Sequence, residues 1–350
     1  MTSYAADSVW RVPSSDLSGK SVVRLPGTLL PGLIDAHVHS GLVDLATVRA
    51  GGIAEVWDLG SVPATVAALA SAPADRKLPT IRYAGPFLIA PGGYPSDRSW
   101  AAPGSWRAVA SPAEGAEAVL AAHAIGATLI KITAHAGGPQ LGPPTMTAIA
   151  DAAHRLGLDV VVHAEGPGTV RAAYEAGADL LAHTPWTEPL DPGLARACAA
   201  RMRWISTLDI HGWGRDTPER ATAIANLRLF LQHGGRVRYG TDLGNGPLIP
   251  GVNPREIRAL QEAGLSPADI LTAMTADAPA AMTAENPAAV TADAPAAPTD
   301  DAPATPIGYV PAGAAGPSLT WVPGGLDLDP ARFADSLATA RVLDDSVRPR

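Results

Sequence analysis

The sequence predicts an α/β fold, a (β/α)8 TIM-type barrel with a small β-sheet domain formed by the N- and C-terminal segments. Three observations lead there. From Gly32 to about Thr275, short β-branched runs alternate with alanine-rich segments whose apolar residues recur at helical spacing, the pattern of repeated βα units. Eight such runs can be counted, enough to close a parallel sheet on itself. Side chains able to do chemistry recur just past the ends of different runs, which is where a barrel gathers its active site; periodicity alone would fit an open doubly wound sheet equally well.

The predicted strands are Leu33 to Ala36, Ile53 to Trp57, Thr80 to Ala84, Thr128 to Thr133, Asp159 to Val162, Asp179 to Ala182, Arg203 to Thr207 and Arg236 to Gly240. Between them lie helix candidates such as Pro112 to Ile125, Met146 to Leu156, Thr169 to Ala176, Pro218 to Gln232 and Pro254 to Ala263. Pro112, Pro218 and Pro254 suit the first helical turn, where a missing N–H has no partner to lose, and Gly126, Gly157, Gly177 and Gly264 suit the helix ends. The barrel is assigned to 31–274. Residues 275–306 read as four eight-residue units, TADAPAAM, TAENPAAV, TADAPAAP and TDDAPATP. Proline every eight residues breaks helices, and Ala/Thr/Asp filler builds no core, so this stretch reads as a flexible linker, with a partner-binding tail as the other reading. Residues 1–30 and 307–350 are expected to form the composite β domain, with Ser318 to Val322 and Val342 to Leu343 pairing with Val22 to Leu25 and Leu29 to Leu30.

Composition narrows the functional classes. The chain has 350 residues, 47% hydrophobic and 17% charged, ample for one large core. Its 34 acidic and 26 basic residues give a net charge of -8 with no basic cluster, which argues against nucleic acid as a partner. Cys198 is the single cysteine, so no intrachain disulfide forms, and a cytoplasmic location is the simplest expectation. Met1 to Lys20 carry Asp7, Arg11, Pro13 and Asp16 in place of a basic start followed by an apolar stretch, and no later segment offers about 20 uninterrupted apolar residues, so neither export nor a membrane partner is expected. A small-molecule substrate is expected, and a homo-oligomer is left open.

The strongest local motif is LPGLIDAHVHSG, in which His37 and His39 stand two apart at a predicted strand end. Residues two apart on a strand face the same way, so both imidazoles can reach one ion. A lone H-x-H is as readily structural, but later strands add Lys131 in TLIKIT, His163 in DVVVHAEG, His183 in DLLAHTPW and Asp242 in VRYGTDLG. Four imidazoles, a carboxylate and a lysine at one barrel mouth suit a divalent cation, zinc foremost, with one or two ions per chain. A buried ammonium would repel such an ion. Lys131 must therefore be neutral, displaced, or converted by CO₂ into an anionic carbamate.

The order H-x-H, Lys, His, His, Asp at strands one, four, five, six and eight resembles the amidohydrolase superfamily, and the surrounding phrases are similar to its imidazolonepropionase-like and dipeptidase-like branch. The resemblance spans roughly Leu30 to Thr275. It implies a binuclear centre with His37, His39 and Asp242 on one ion, His163 and His183 on the other, and carboxylated Lys131 between them. The activity expected is hydrolysis of a C–N bond in an amide, cyclic amide or dipeptide-like substrate by a metal-activated water, with Lys131 and Asp242 as catalytic residues and Asp242 moving a proton to the leaving nitrogen. Deamination, lactone hydrolysis or decarboxylation on the same barrel, and a non-catalytic binding protein of the same fold, are the rival readings.

Other residues near strand ends are candidate substrate contacts. These are His135 in AHAGG, His211 and Trp213 beyond strand seven, Trp186 after His183, and Asn245 after Asp242. The long strand-three loop adds Tyr94 and Arg98, the latter a candidate clamp for a substrate carboxylate that Arg215 could equally supply. Each has a bland alternative as rim packing. His123, His154 and His233 fall on outer helices and receive no function.

Overall fold

A computed structural model of the chain describes residues 26–275 and 318–343 in full, together with the backbone strands Ser8–Val12, Ser21–Leu25 and Arg348–Pro349. The eight-residue repeat lies, except for Thr275, outside the described residues.

The barrel strands follow in order. Strand one is Leu33–Val38 and strand two Ile53–Asp58; strand three is split into Thr80–Tyr83 and Phe87–Ile89; strand four is Leu129–His135 and strand five Asp159–Glu165. Strands six, seven and eight are short, Leu180–Leu181, Arg203–Ile205 and Arg236–Arg238. Neighbouring strands pair in parallel throughout. Closure comes from strand one meeting the chain just past strand eight, where the Ala36 N–H donates to the Tyr239 carbonyl at 2.9 Å and the Leu243 N–H to the His37 carbonyl at 3.2 Å.

Two apolar layers hold this shape. Inside the barrel, Ile34, Ala36, Trp57, Leu59, Ala84, Leu129, Val161, Leu180, Ala182 and Ile205 fill the lumen below the mouth. Outside, the opposite faces of the strands pack on the helices, where Trp204 stacks on Phe230 of helix Pro218–Gln232 at 3.8 Å between centroids. Period-two alternation explains the division, since one face of each strand turns inward and the other outward. The predicted helices form with proline in the first turn of Pro112–Ala124, Pro218–Gln232 and Pro254–Glu262, and Ser111, Thr217 and Asn253 cap them through their side-chain oxygens.

The chain ends build two sheets, not one. Leu319–Pro323 pairs antiparallel with Gly27–Pro31 and with Arg341–Val342, as the sequence suggests for Leu29 and Leu30. The expected partnership of Val22 to Leu25 with these strands does not form. Ser21–Leu25 instead pairs with Ser8–Val12, which takes Arg348–Pro349 on its other edge. The physical reason is proximity in sequence: the short connection between Ser8–Val12 and Ser21–Leu25 makes their pairing the cheaper loop to close. The first sheet is tied to the barrel by Thr320, fully buried, whose hydroxyl accepts the Leu33 N–H at 3.2 Å and donates to the Gly52 carbonyl at 3.1 Å. Among the described residues no helix is long and apolar enough to cross a membrane.

Candidate metal centre

The ends of five strands bring the six residues together. His37 and His39 remain on the same side although strand one is irregular between Asp35 and Val38, a bulge that resets the parity of Ile34 and Ala36 and turns His37 toward the mouth. Their Nε2 atoms lie 3.0 and 3.1 Å from one oxygen, Asp242 Oδ1. The two Nδ1 atoms sit 2.9 Å from the Ala182 carbonyl and 3.0 Å from the Gly60 carbonyl. A carbonyl only accepts, so each Nδ1 carries the proton and each neutral ring presents a bare Nε2. Three lone-pair donors then converge, which is unfavourable unless a cation, or a proton on one ring, lies among them. This donor set fits a divalent ion such as zinc.

The electrostatics agree. Burial raises the Asp242 carboxyl, but His37, His39 and His183 outweigh it and hold it well below the usual carboxylate range. Burial also pushes His37 well down against the pull of Asp242, whereas at His39 the combined pull of Asp242 and Asp58 overcomes burial and raises it. Without an ion, the proton shared with Asp242 therefore belongs to His39. An ion entering the site must expel it.

The other imidazoles adjoin this group. His183 lies 4.7 Å from His37 and 4.9 Å from His163 between ring centroids, and its Nδ1 is 2.9 Å from the Thr207 hydroxyl. The Nε2 of His163 is 2.9 Å from Glu165 Oε2, so Nδ1 is what His163 has left to offer an ion. Both His163 and His183 are lowered by burial, which keeps them neutral and able to bind. Lys131 is 1% exposed, and burial brings its amine down to about 7 against the attraction of Asp242 and Asp58. Asp242 and Thr207 both adopt left-handed backbone, at φ +59° and +44°. For a threonine this is strained, of order 1–3 kcal/mol, and it is retained where the hydroxyl holds His183.

Two carboxylates that the sequence reading passed over support the centre. Asp58, fully buried at the end of strand two, accepts the Ser40 N–H at 2.8 Å, the Gly60 N–H at 3.1 Å and the Ser61 hydroxyl at 2.7 Å, fixing the turn whose carbonyl holds His39. Glu165 lies between His163 and His135, its Oε2 3.1 Å from His135 Nδ1. Its signal was available: Glu165 stands two after His163, the same spacing that singled out His37 and His39.

A cavity of about 270 Å³ opens over the centre. Tyr94, Trp186 and Asn245 line it, as the sequence suggests, together with Trp100 from the strand-three loop, and Asn245 Nδ2 donates to Asp242 Oδ2 at 2.8 Å. The other expected contacts stand back from this wall. Arg98 is 44% exposed, pairs with Asp97 and lies over the outer side of the Tyr94 ring at 5.4 Å. His211 packs behind Trp186 at 4.9 Å, where burial lowers it to about 4, and Ile210 takes its place at the cavity. Trp213 packs against Gly246, and His135 lies behind Glu165 against Tyr94 at 5.1 Å. Of the outer histidines, His154 pairs with Asp179 at 2.8 Å on the barrel exterior.

The model of the amidohydrolase family matches residues 28–287. The chain belongs to that family. Similar solved structures include a Xaa-Pro dipeptidase with bound methionine, at 21% identity and a TM-score of 0.65 over 92% of this chain and 87% of that one. A prolidase complexed with N-methylphosphonate-L-proline gives 18% identity and 0.65 over 99% and 94%. The ochratoxinase of A. niger gives 20% identity and 0.57 over 71% of each chain. At these identities the likeness establishes the fold, and the family membership supports metal-dependent hydrolysis of C–N bonds. No curated protein matches the chain.

Proposed function

We propose that this amidohydrolase cleaves the amide bond of a small dipeptide-like molecule at a centre of one or two zinc ions held by His37, His39, His163, His183 and Asp242, with Lys131 as a carbamate between them. The observation that carries the reading is the meeting of two imidazole Nε2 atoms and one carboxylate oxygen at 3.0 and 3.1 Å, with each ring locked from behind through its Nδ1. A divalent ion bound there supplies a polarised scissile carbonyl and a water acidic enough to ionise near neutral pH.

The chain's own residues do the rest. Asp242, oriented by Asn245 through Oδ2, would take the proton that the attacking water gives up and hand it to the more basic leaving nitrogen. Lys131, with its amine near 7, has the neutral form that reacts with CO₂ available at physiological pH. Tyr94, Trp100 and Trp186 wall the cavity with aromatic surface, whose low polarity strengthens the charge interactions beside it. The cavity's size suits a small molecule, the prolidase-type relatives favour a dipeptide, and a cytoplasmic location remains the simplest reading of a chain with a single cysteine. Purified protein is expected to carry a divalent ion and to hydrolyse members of a dipeptide and acyl-amide panel, with activity lost on chelation and restored by zinc. Undiminished turnover in metal-free protein would refute this reading.

A further inference from the structure

We propose that Glu165 anchors a protonated amine of the substrate, so that the site selects amides carrying an ammonium group close to the scissile bond, as a dipeptide with a free N-terminus does. This rests on the reading of the cavity as an amide-hydrolase site and specifies which charge it accepts.

Among the residues lining the cavity, the charged or ionisable groups are those of the metal centre, the Tyr94 phenol and Glu165. Glu165 is therefore the one carboxylate on the wall with no place among the expected metal ligands. Among the described residues no arginine lines the cavity to receive a substrate carboxylate, because Arg98 is turned to solvent and held by Asp97. Among the described residues the polar contacts of the Glu165 side chain all fall on Oε2, from His163 and His135. Among the described residues Oε1 has no partner, and the side chain is 30% exposed. The neighbouring surface is aromatic. Tyr94 lies nearly parallel to His163 at 4.9 Å and 22°, Trp186 meets the same imidazole edge-on at 5.9 Å, and Trp100 is 6.1 Å from Tyr94. A carboxylate oxygen beside aromatic walls is the combination that holds an ammonium, through a charge-assisted hydrogen bond and the negative faces of the rings. An anion in the same place would face Glu165 with no compensating charge. Because Glu165 is in direct contact with His163, the amine must lie within a few bonds of the reacting carbonyl.

Trp100 and Trp186 report occupancy by their fluorescence. Zinc-loaded protein is titrated with n-butylammonium and, separately, with butyrate, whose carboxylate can be held by the ions alone. Glu165→Gln keeps an oxygen for the His163 N–H and removes the charge; it is expected to weaken n-butylammonium at least tenfold, to leave butyrate as tight or tighter, and to retain the zinc content. Glu165→Asp is expected to recover part of the ammonium binding. The proposal is overturned if n-butylammonium fails to bind the wild type, if it binds Glu165→Gln equally well, or if Glu165→Gln loses zinc and both ligands together, which would make Glu165 only a prop for His163. These binding outcomes are independent of turnover. A protein that discriminates the two ions yet hydrolyses no amide would sink the proposed activity and leave the ammonium site standing.

Discussion

Replacing Asp35 by asparagine should stabilise the protein at neutral pH and do nothing in acid. Asp35 is 1% exposed beneath the metal centre. Its Oδ1 accepts the N–H groups of His37 and Thr241 at 3.1 and 3.0 Å, and its Oδ2 accepts the Thr241 hydroxyl at 2.6 Å. Burial raises its carboxyl to about 7 from 3.8, against those hydrogen bonds and with a further push from Asp242. The folded form thus holds a proton that the unfolded chain has already released. Stability from this group is complete below pH 3.8, declines as pH rises, and is exhausted above about 7. A shift of roughly three units corresponds to at most about 4 kcal/mol. Asparagine keeps both backbone bonds through Oδ1, and its amide can donate to the threonine hydroxyl once that hydroxyl turns to accept. Urea unfolding of chelated wild type and Asp35→Asn from pH 4 to 8 should show the variant's advantage growing by about 1.4 kcal/mol per pH unit and levelling near pH 7. The histidines titrate alike in both proteins and cancel in the difference. A gap that stays constant with pH would refute the reasoning.

Other expectations follow from the same structure. Metal affinity, measured by competition with a chelator, should fall about tenfold per pH unit once His39 is protonated, since binding displaces one proton; a pH-independent affinity would contradict the assignment of that proton. Thr207→Gly removes the hydroxyl behind His183 and relieves a strained backbone, so affinity for zinc should drop 10–100-fold while thermal stability changes by no more than ~1 kcal/mol. Trp204→Ala empties a fully buried site stacked on Phe230 and should cost about 3–5 kcal/mol by chemical denaturation, without changing the zinc stoichiometry. Gly60→Ala would drive a methyl group into the Phe87 ring at φ +144°, displacing the carbonyl that holds His39, and the purified variant should contain less zinc than wild type.

The centre was legible because it depends on two short-range rules. Strand alternation puts His37 and His39 on one side, and a parallel barrel brings the ends of its strands to one mouth, so Lys131, His163, His183 and Asp242 could be gathered from their positions alone. Applied evenly, the same rules would also have found Asp35 and Glu165, each two residues from a histidine, and Asp58 at the end of strand two. Arg98 and His211 stand back from the cavity wall because they sit in loops, where the backbone path decides direction and no periodicity records it. The terminal strands were ambiguous for a related reason. Strands of similar composition compete as partners, and only the cost of closing each loop separates a hairpin between Ser8–Val12 and Ser21–Leu25 from a pairing three hundred residues away.

The hydroxyl of Thr320 ties strands one and two together at their base, 287 residues along the chain from its partner Leu33. A ribosome making this protein therefore releases every metal ligand long before the piece that clasps the opposite rim. Shortened products ending ahead of Ser318 would own all six ligands and still lack the hydroxyl that joins the Leu33 amide to the Gly52 carbonyl, leaving the base of strands one and two open to water.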